Sequence, residues 1–247
     1  MLNILKAEFY KTKNTCFFWI HLILPLGYAS LVYVLVLVTG IKKFLPAEII
    51  QNYLVILGGC LPIVIGVITA KNIELEASAG QFFALLASTN TRAKIYLGKY
   101  LFLLSSAAGA IFLALFSFAI LFGQQSLATW LNEALLLLLG CAPVYLLHLG
   151  VSFKLGGNAS IWLGFVEMLV AFLFMTSLGD KLWYYLPSAW PARLEALYVL
   201  KELQANKVAY VESEMLKWSV IAVTFWTIGL IFSLYWFSKW DGKTYLE

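Results

Sequence analysis

The sequence predicts an all-α polytopic membrane protein with six transmembrane helices, organised as one domain over residues 1–247. Two observations predict it. Of the residues, 62 % are apolar and only 12 % charged, with a mean hydropathy of +0.86, which excludes an ordinary soluble domain. The apolar residues gather into runs of span length, almost free of charge, and short polar breaks separate them. The expected spans are 16–40, 53–70, 100–122, 134–153, 159–178 and 219–238.

Residues 2–13 come first. Leu2, Leu5 and Phe9 recur at helical spacing, with Lys6, Lys11 and Lys13 at other positions. This pattern predicts an N-terminal amphipathic interfacial helix, its basic side toward anionic head groups. A helix docked on nothing in particular is the plainer alternative. The apolar run that follows is too long for a cleavable leader, so the first span is expected to remain as an anchor.

Pro25, Pro62 and Pro143 fall inside spans one, two and four, where each removes a backbone hydrogen bond and can kink its helix. Cys16, Cys60 and Cys141 also fall inside spans and read as small packing residues.

The polar break at 71–99 is the longest on its side. Phe82, Phe83, Leu85 and Leu86 crowd into it after Gly80. Four large apolar residues must bury against head groups, the rest of the chain or a partner protein. Ser88, Thr89, Asn90 and Thr91 form a turn or cap cluster, and Arg92, Lys94 and Lys99 open the next helix.

Spans four and five are joined by Lys154-Leu-Gly-Gly-Asn158, a connection short enough to make them antiparallel neighbours. Span five is followed by the only large segment on the other side, 179–217. Trp183, Tyr184, Tyr185 and Trp190 suit a membrane interface. Pro187, Ser188 and Pro191 mark a helix start, with balanced charges from there to about residue 204.

An even number of spans puts both termini on one side. With that side cytoplasmic, Lys6, Lys11, Lys13, Lys71, Arg92, Lys94, Lys99, Lys154, Lys239 and Lys243 lie inside, ten of the seventeen basic residues. Glu8, Glu74, Glu76, Asp241 and Glu247 accompany them, against Glu48, Asp180, Glu195, Glu202, Glu212 and Glu214 outside. The basic bias favours cytoplasmic termini.

One carboxylate lies deep inside a span. An ionised Glu167 at mid-membrane costs roughly 2.5–3.5 kcal/mol on insertion scales. Counting back from the hairpin, His148 sits within about three residues of its depth, roughly 4.5 Å at the helical rise. The pair marks a substrate or proton path, or Glu167 is neutral and held only for packing. No phosphate-cradling G-x-x-x-x-G-K-[S/T] sequence occurs. The residues needed for an intramembrane protease or a metal centre are also missing: the spans hold two histidines, and His21 has no acidic neighbour in its helix. Catalytic, cofactor-binding and metal-binding residues are therefore not expected. The small excess of basic charge, explained by membrane orientation, gives no support for nucleic-acid binding.

Three stretches carry a family resemblance. They are Lys6-Ala-Glu-Phe-Tyr-Lys-Thr-Lys-Asn14, the break with Glu76, Gly80, Leu85-Leu86, Arg92, Lys94 and Lys99, and Leu186-Pro-Ser-Ala-Trp-Pro-Ala-Arg-Leu194. With these the chain resembles the membrane subunits of type-2 ABC exporters, above all the permeases of lantibiotic-immunity transporters of Gram-positive bacteria. The family often has a proline after its Leu-Leu-Ser element, where this chain has Thr89-Asn90.

The resemblance implies a permease in the bacterial cell membrane that expels an amphipathic antimicrobial peptide. It implies two copies of a separate ATP-binding cassette subunit, which would bind ATP and Mg, and a second six-span permease, identical or different. Membrane lipid is the common surrounding. Glu76, Gly80, Phe82, Phe83, Leu85, Leu86 and Arg92 would form the cytoplasmic coupling helix that meets the ATPase. The segment 179–217 would partly re-enter the membrane and cap the pathway. Two alternatives stay open: export of a small molecule or ion by the same fold, and sequestration of the peptide without transport.

Overall fold

In the computed structural model, residues 1–39, 45–80, 82–88, 90–123 and 125–242 are described. Lys42, Lys43, Thr89, Lys243 and Glu247, used in the orientation and turn arguments, lie outside the described residues. Among the described residues the regular elements are all helical.

The chain runs through α1 (Leu2–Thr12), α2 (Cys16–Val38), α3 (Pro46–Ser78), the single turn α4 (Phe83–Leu86), α5 (Arg92–Phe122), α6 (Leu127–Leu155) and α7 (Gly157–Leu173). Short 3-10 turns then lead to α8 (Trp190–Leu203) and α9 (Val208–Lys239). Local chemistry sets the starts. The hydroxyls of Thr15, Thr91 and Ser126 accept from the backbone N–H of Phe17, Lys94 and Thr129 at 3.2, 3.4 and 3.2 Å, so α2, α5 and α6 each begin on a side-chain cap. Pro46 opens α3, where a missing N–H costs nothing. The α6–α7 hairpin turns at Gly156, whose φ of 88° suits a residue without Cβ.

Five helices, α2, α3, α5, α6 and α9, are long and apolar enough to cross a membrane. The chain is thus a multi-span α-helical membrane protein. The remaining expected span, the fifth, differs. It is the 17-residue α7, ending at Leu173 where the sequence expects 178. The physical reason is Arg193 of α8. Its Nε donates to the Phe174 carbonyl at 2.6 Å, and Nη2 donates to the Thr176 carbonyl at 2.9 Å and to Asp180 at 3.1 Å. A guanidinium satisfies the carbonyls that another turn of helix would have used.

α3 and α6 are the most buried spans, while α2 and α9 are peripheral and turn most of their apolar side chains outward. Near the N-terminal end, Phe153, Tyr96, Phe237 and Trp240 form one aromatic cluster. Toward the opposite end, Tyr53 of α3 stacks on Phe118 of α5 with ring centroids 3.9 Å apart. Tyr53 also donates to the Ala114 carbonyl at 2.8 Å.

The start of α8 is driven between α3 and α6. A Cβ on Gly58 would lie 2.7 Å from the Ala192 backbone nitrogen, and one on Gly140 2.9 Å from that of Pro191. Glycine at these two mid-helix positions is what admits α8. From there α8 rises along α6 until Tyr198 accepts a hydrogen bond from Asn132 at 3.1 Å. The interface role expected for Trp183, Tyr184, Tyr185 and Trp190 is corrected: Trp183, Tyr184 and Trp190 are core residues packed with Trp218, and of these four only Tyr185 is exposed. Of the three cysteines, Cys141 is buried, Cys60 half-buried and Cys16 exposed, so the packing role expected of all three holds least for Cys16.

Candidate functional site

Glu167 and His148 meet across the hairpin. The Oε2 of Glu167 lies 2.9 Å from His148 Nε2. On the far side of the ring, Nδ1 lies 2.8 Å from the Ser160 hydroxyl, which is 3.2 Å from the Gly66 carbonyl of α3. His148 and Ser160 are fully buried, whereas Glu167 is 13 % exposed. That exposure opens on a cavity of about 540 Å³ between α6, α7, α9 and the 3-10 turns. Leu146, Phe225, Phe232 and Trp236 line it as apolar wall, and Lys154 lies at its end beside the hairpin. A single carboxylate facing an apolar chamber is suited to hold a cationic group on an amphipathic molecule.

A second polar assembly lies at the N-terminal end. Lys99 of α5 donates to Glu8 of α1 at 2.6 Å, to Glu76 of α3 at 2.9 Å and to Asn72 of α3 at 3.0 Å. All three ammonium protons are matched, and the side chain is 1 % exposed. Lys11 reaches Glu76 at 2.6 Å and Glu8 at 3.0 Å. Burial works against its charge, but the hydrogen bond to Glu76 and the charge of Glu8 hold its ammonium above the ordinary lysine value. Two cations and two carboxylates therefore join α1, α3 and α5. This explains why α1 turns Glu8 and Thr12 inward and leaves Leu2, Phe9 and Tyr10 exposed.

The residues expected to couple to a partner divide in two. Glu76 is spent in the ion cluster. Gly80 is exposed with φ at 111°. Phe82 holds a left-handed backbone, φ 65°, which costs a non-glycine residue roughly 1–2 kcal/mol. Its ring is buried against Phe153 and Trp240, with centroids 5.8 and 5.0 Å away. Leu85 is buried and Leu86 half-buried. Arg92 donates to the carbonyls of Ser238 and Trp240, tying α5 to the end of α9. Only Phe83, 75 % exposed, points away from the chain. The apolar patch thus folds mainly onto its own protein.

Sequence reasoning missed a third place. Glu133 of α6, left out of the charge count, and Glu195 of α8, taken as a surface charge, are both fully buried. Gln125 donates to Glu133 at 2.7 Å, while neither oxygen of Glu195 has a hydrogen-bond partner among the described residues. Burial, with Glu133 adding to it, pushes the Glu195 carboxyl well above its ordinary range. His21, on the wall of a small apolar cavity of about 190 Å³, places Nδ1 2.7 Å from the Phe17 carbonyl and has no acidic partner. Among the described residues no three His, Cys, Asp or Glu side chains are placed to hold a metal ion. No family model matches the chain, and no curated protein matches it.

Proposed function

We propose that this chain is the permease of an exporter of the lantibiotic-immunity kind, with six spans once α7 is counted and both termini in the cytoplasm of a bacterial cell. A separate ATP-binding cassette subunit supplies the energy, and an amphipathic peptide leaves the membrane through the bundle. The chamber beside Glu167 carries this reading. It offers apolar wall for an apolar peptide face and one carboxylate for a basic residue.

The coupling surface supports it too. The ion cluster fixes α1, α3 and α5 together, and Leu85 of the short α4 borders the same cavity as Glu8, Lys11 and Glu76, so α4 lies next to the residues that join three helices. Phe83 is the side chain left over for a partner. The test is copurification with an ATPase whose turnover depends on this chain. Replacing Phe83 with Asp is expected to lower that stimulation at least tenfold, with the amount of inserted protein unchanged. A chain that purifies alone, and whose loss leaves cells equally sensitive to a panel of membrane-active peptides, overturns the proposal. So does labelling of the exposed Lys94 from outside intact cells.

A further inference from the structure

The hydrogen bonds around His148 have a property that a packing role does not require. Ser160 has a single hydroxyl proton and two acceptors in reach, the Gly66 carbonyl and Nδ1 of His148. When the hydroxyl faces Gly66, Nδ1 must donate to Ser160. Nε2 and Oε2 then hold one further proton between them, because a lone pair cannot face a carboxylate at 2.9 Å without one. When the hydroxyl turns to Nδ1, the imidazole proton sits on Nε2 and donates to an ionised Glu167. Both arrangements leave every buried atom of the network paired. They differ by one proton.

We infer that the Glu167–His148 pair is an exchange site, which gives up one proton when the ammonium group of a cationic amphipathic molecule binds Glu167 from the chamber. The balance closes. One positive charge enters as the ammonium and one leaves as a proton, passed to water at the chamber mouth. The carboxylate forms N–H···O contacts to the ligand and keeps its bond from Nε2–H. Ser160 rotates to supply the hydrogen bond that Nδ1 then needs.

The surroundings favour this ligand. Among the described residues Glu167 is the only carboxylate on the wall, and α9 contributes just Phe, Gly, Ser and Trp to it. Tyr185 comes from the 3-10 turns, and Lys154 stands beside the hairpin, more than a helical turn from the level of His148. On α3, which packs along the other side of α7, the charged groups at that end are Lys71 and Glu74, paired with each other at 2.7 Å, and Glu76, paired with Lys11 and Lys99. Nothing else among these groups neutralises the carboxylate from the chamber side. An apolar wall leaves an incoming ammonium with little competition from solvent.

The inference rests on the export reading for the purpose of the site, but binding needs no ATPase and is measured without one. The full chain in lipid nanodiscs is titrated with a labelled amphipathic peptide carrying one lysine, and with the same peptide acetylated on that lysine. Affinity for the lysine peptide is expected to rise with pH, by up to about tenfold per pH unit, as one-proton exchange requires. A pH indicator in weak buffer should show one proton released per peptide bound. The acetylated peptide should show neither effect, and Glu167→Gln should lose both. Equal binding of the two peptides by the unaltered chain, or affinity independent of pH, overturns the site without appeal to any variant. Intact proton-coupled binding without export in cells would remove the transport reading and leave the site standing.

Discussion

Lys99 and Glu195 are hidden from solvent to the same degree, at opposite ends of the molecule, and the protein treats them in opposite ways. Lys99 is surrounded by Glu8, Glu76 and Asn72, with Lys11 closing the cluster at the edge. Charge is kept there because each ion has an opposite ion within 3 Å. Among the described residues Glu195 has no cation and no donor, and the acid that acts on it is another buried carboxyl, Glu133. At that end charge is avoided, and Glu195 holds its proton. Burial alone therefore says little about an ionisable residue. The partner set decides whether it is a clamp or a neutral filler.

The largest expected effect breaks the charged end. Lys99→Met leaves the buried Glu8 and Glu76 to share the half-exposed Lys11 as their one cation and should cost about 3–5 kcal/mol, read as the loss of thermal stability in nanodiscs. Adding Glu8→Gln should recover part of that loss. A fall under about 1 kcal/mol for the single variant would show that the cluster is not the clamp described.

The next effect sharpens the neutral end. Glu195→Gln keeps the shape and replaces the ionisable carboxyl with a neutral amide, so its stability at pH 7 should equal or exceed the parent's. The pH dependence has a defined sign. A carboxyl with its folded value raised binds its proton more tightly folded than unfolded. Its contribution is complete below the unfolded value, near 4.5, and is lost as pH rises above it toward the raised folded value. The parent should therefore lose stability as pH rises above about 5 relative to Glu195→Gln, and parallel pH profiles would refute the assignment.

The smallest effect is the control. Lys71 and Glu74 are an i,i+3 pair, each side chain more than 40 % exposed, and Lys71→Ala should change stability by no more than about 0.5 kcal/mol. A loss comparable to that of Lys99→Met would mean that burial is not what separates the two ends.

Much of this was legible in the sequence, and the legible parts are local. Thr91 announces the start of α5 as a cap directly before a basic, periodic run. The two-glycine connection fixes the register of α6 against α7, and register alone puts His148 level with Glu167. What escaped is non-local. Residues 187–204 carry alternating charges, the ordinary signature of a surface helix. Two glycines far away in α3 and α6 admit α8 to the core and take Glu195 with it. Arg193 stops α7 from a different helix, so no pattern within 159–178 marks the end of that span. Glu133 sits at the first turns of α6, where composition cannot tell a mouth from an interior.

The wedge formed by α8 also limits how the molecule can deform. With backbone pressed against backbone on both sides, the upper portions of α3 and α6 cannot draw together, and separating them would strip α8 from both. That part of the bundle is a stiff frame. α9 has the least of its surface held by its neighbours and forms one whole side of the chamber. A displacement of α9 therefore changes the width of the chamber more readily than a displacement of α3 or α6.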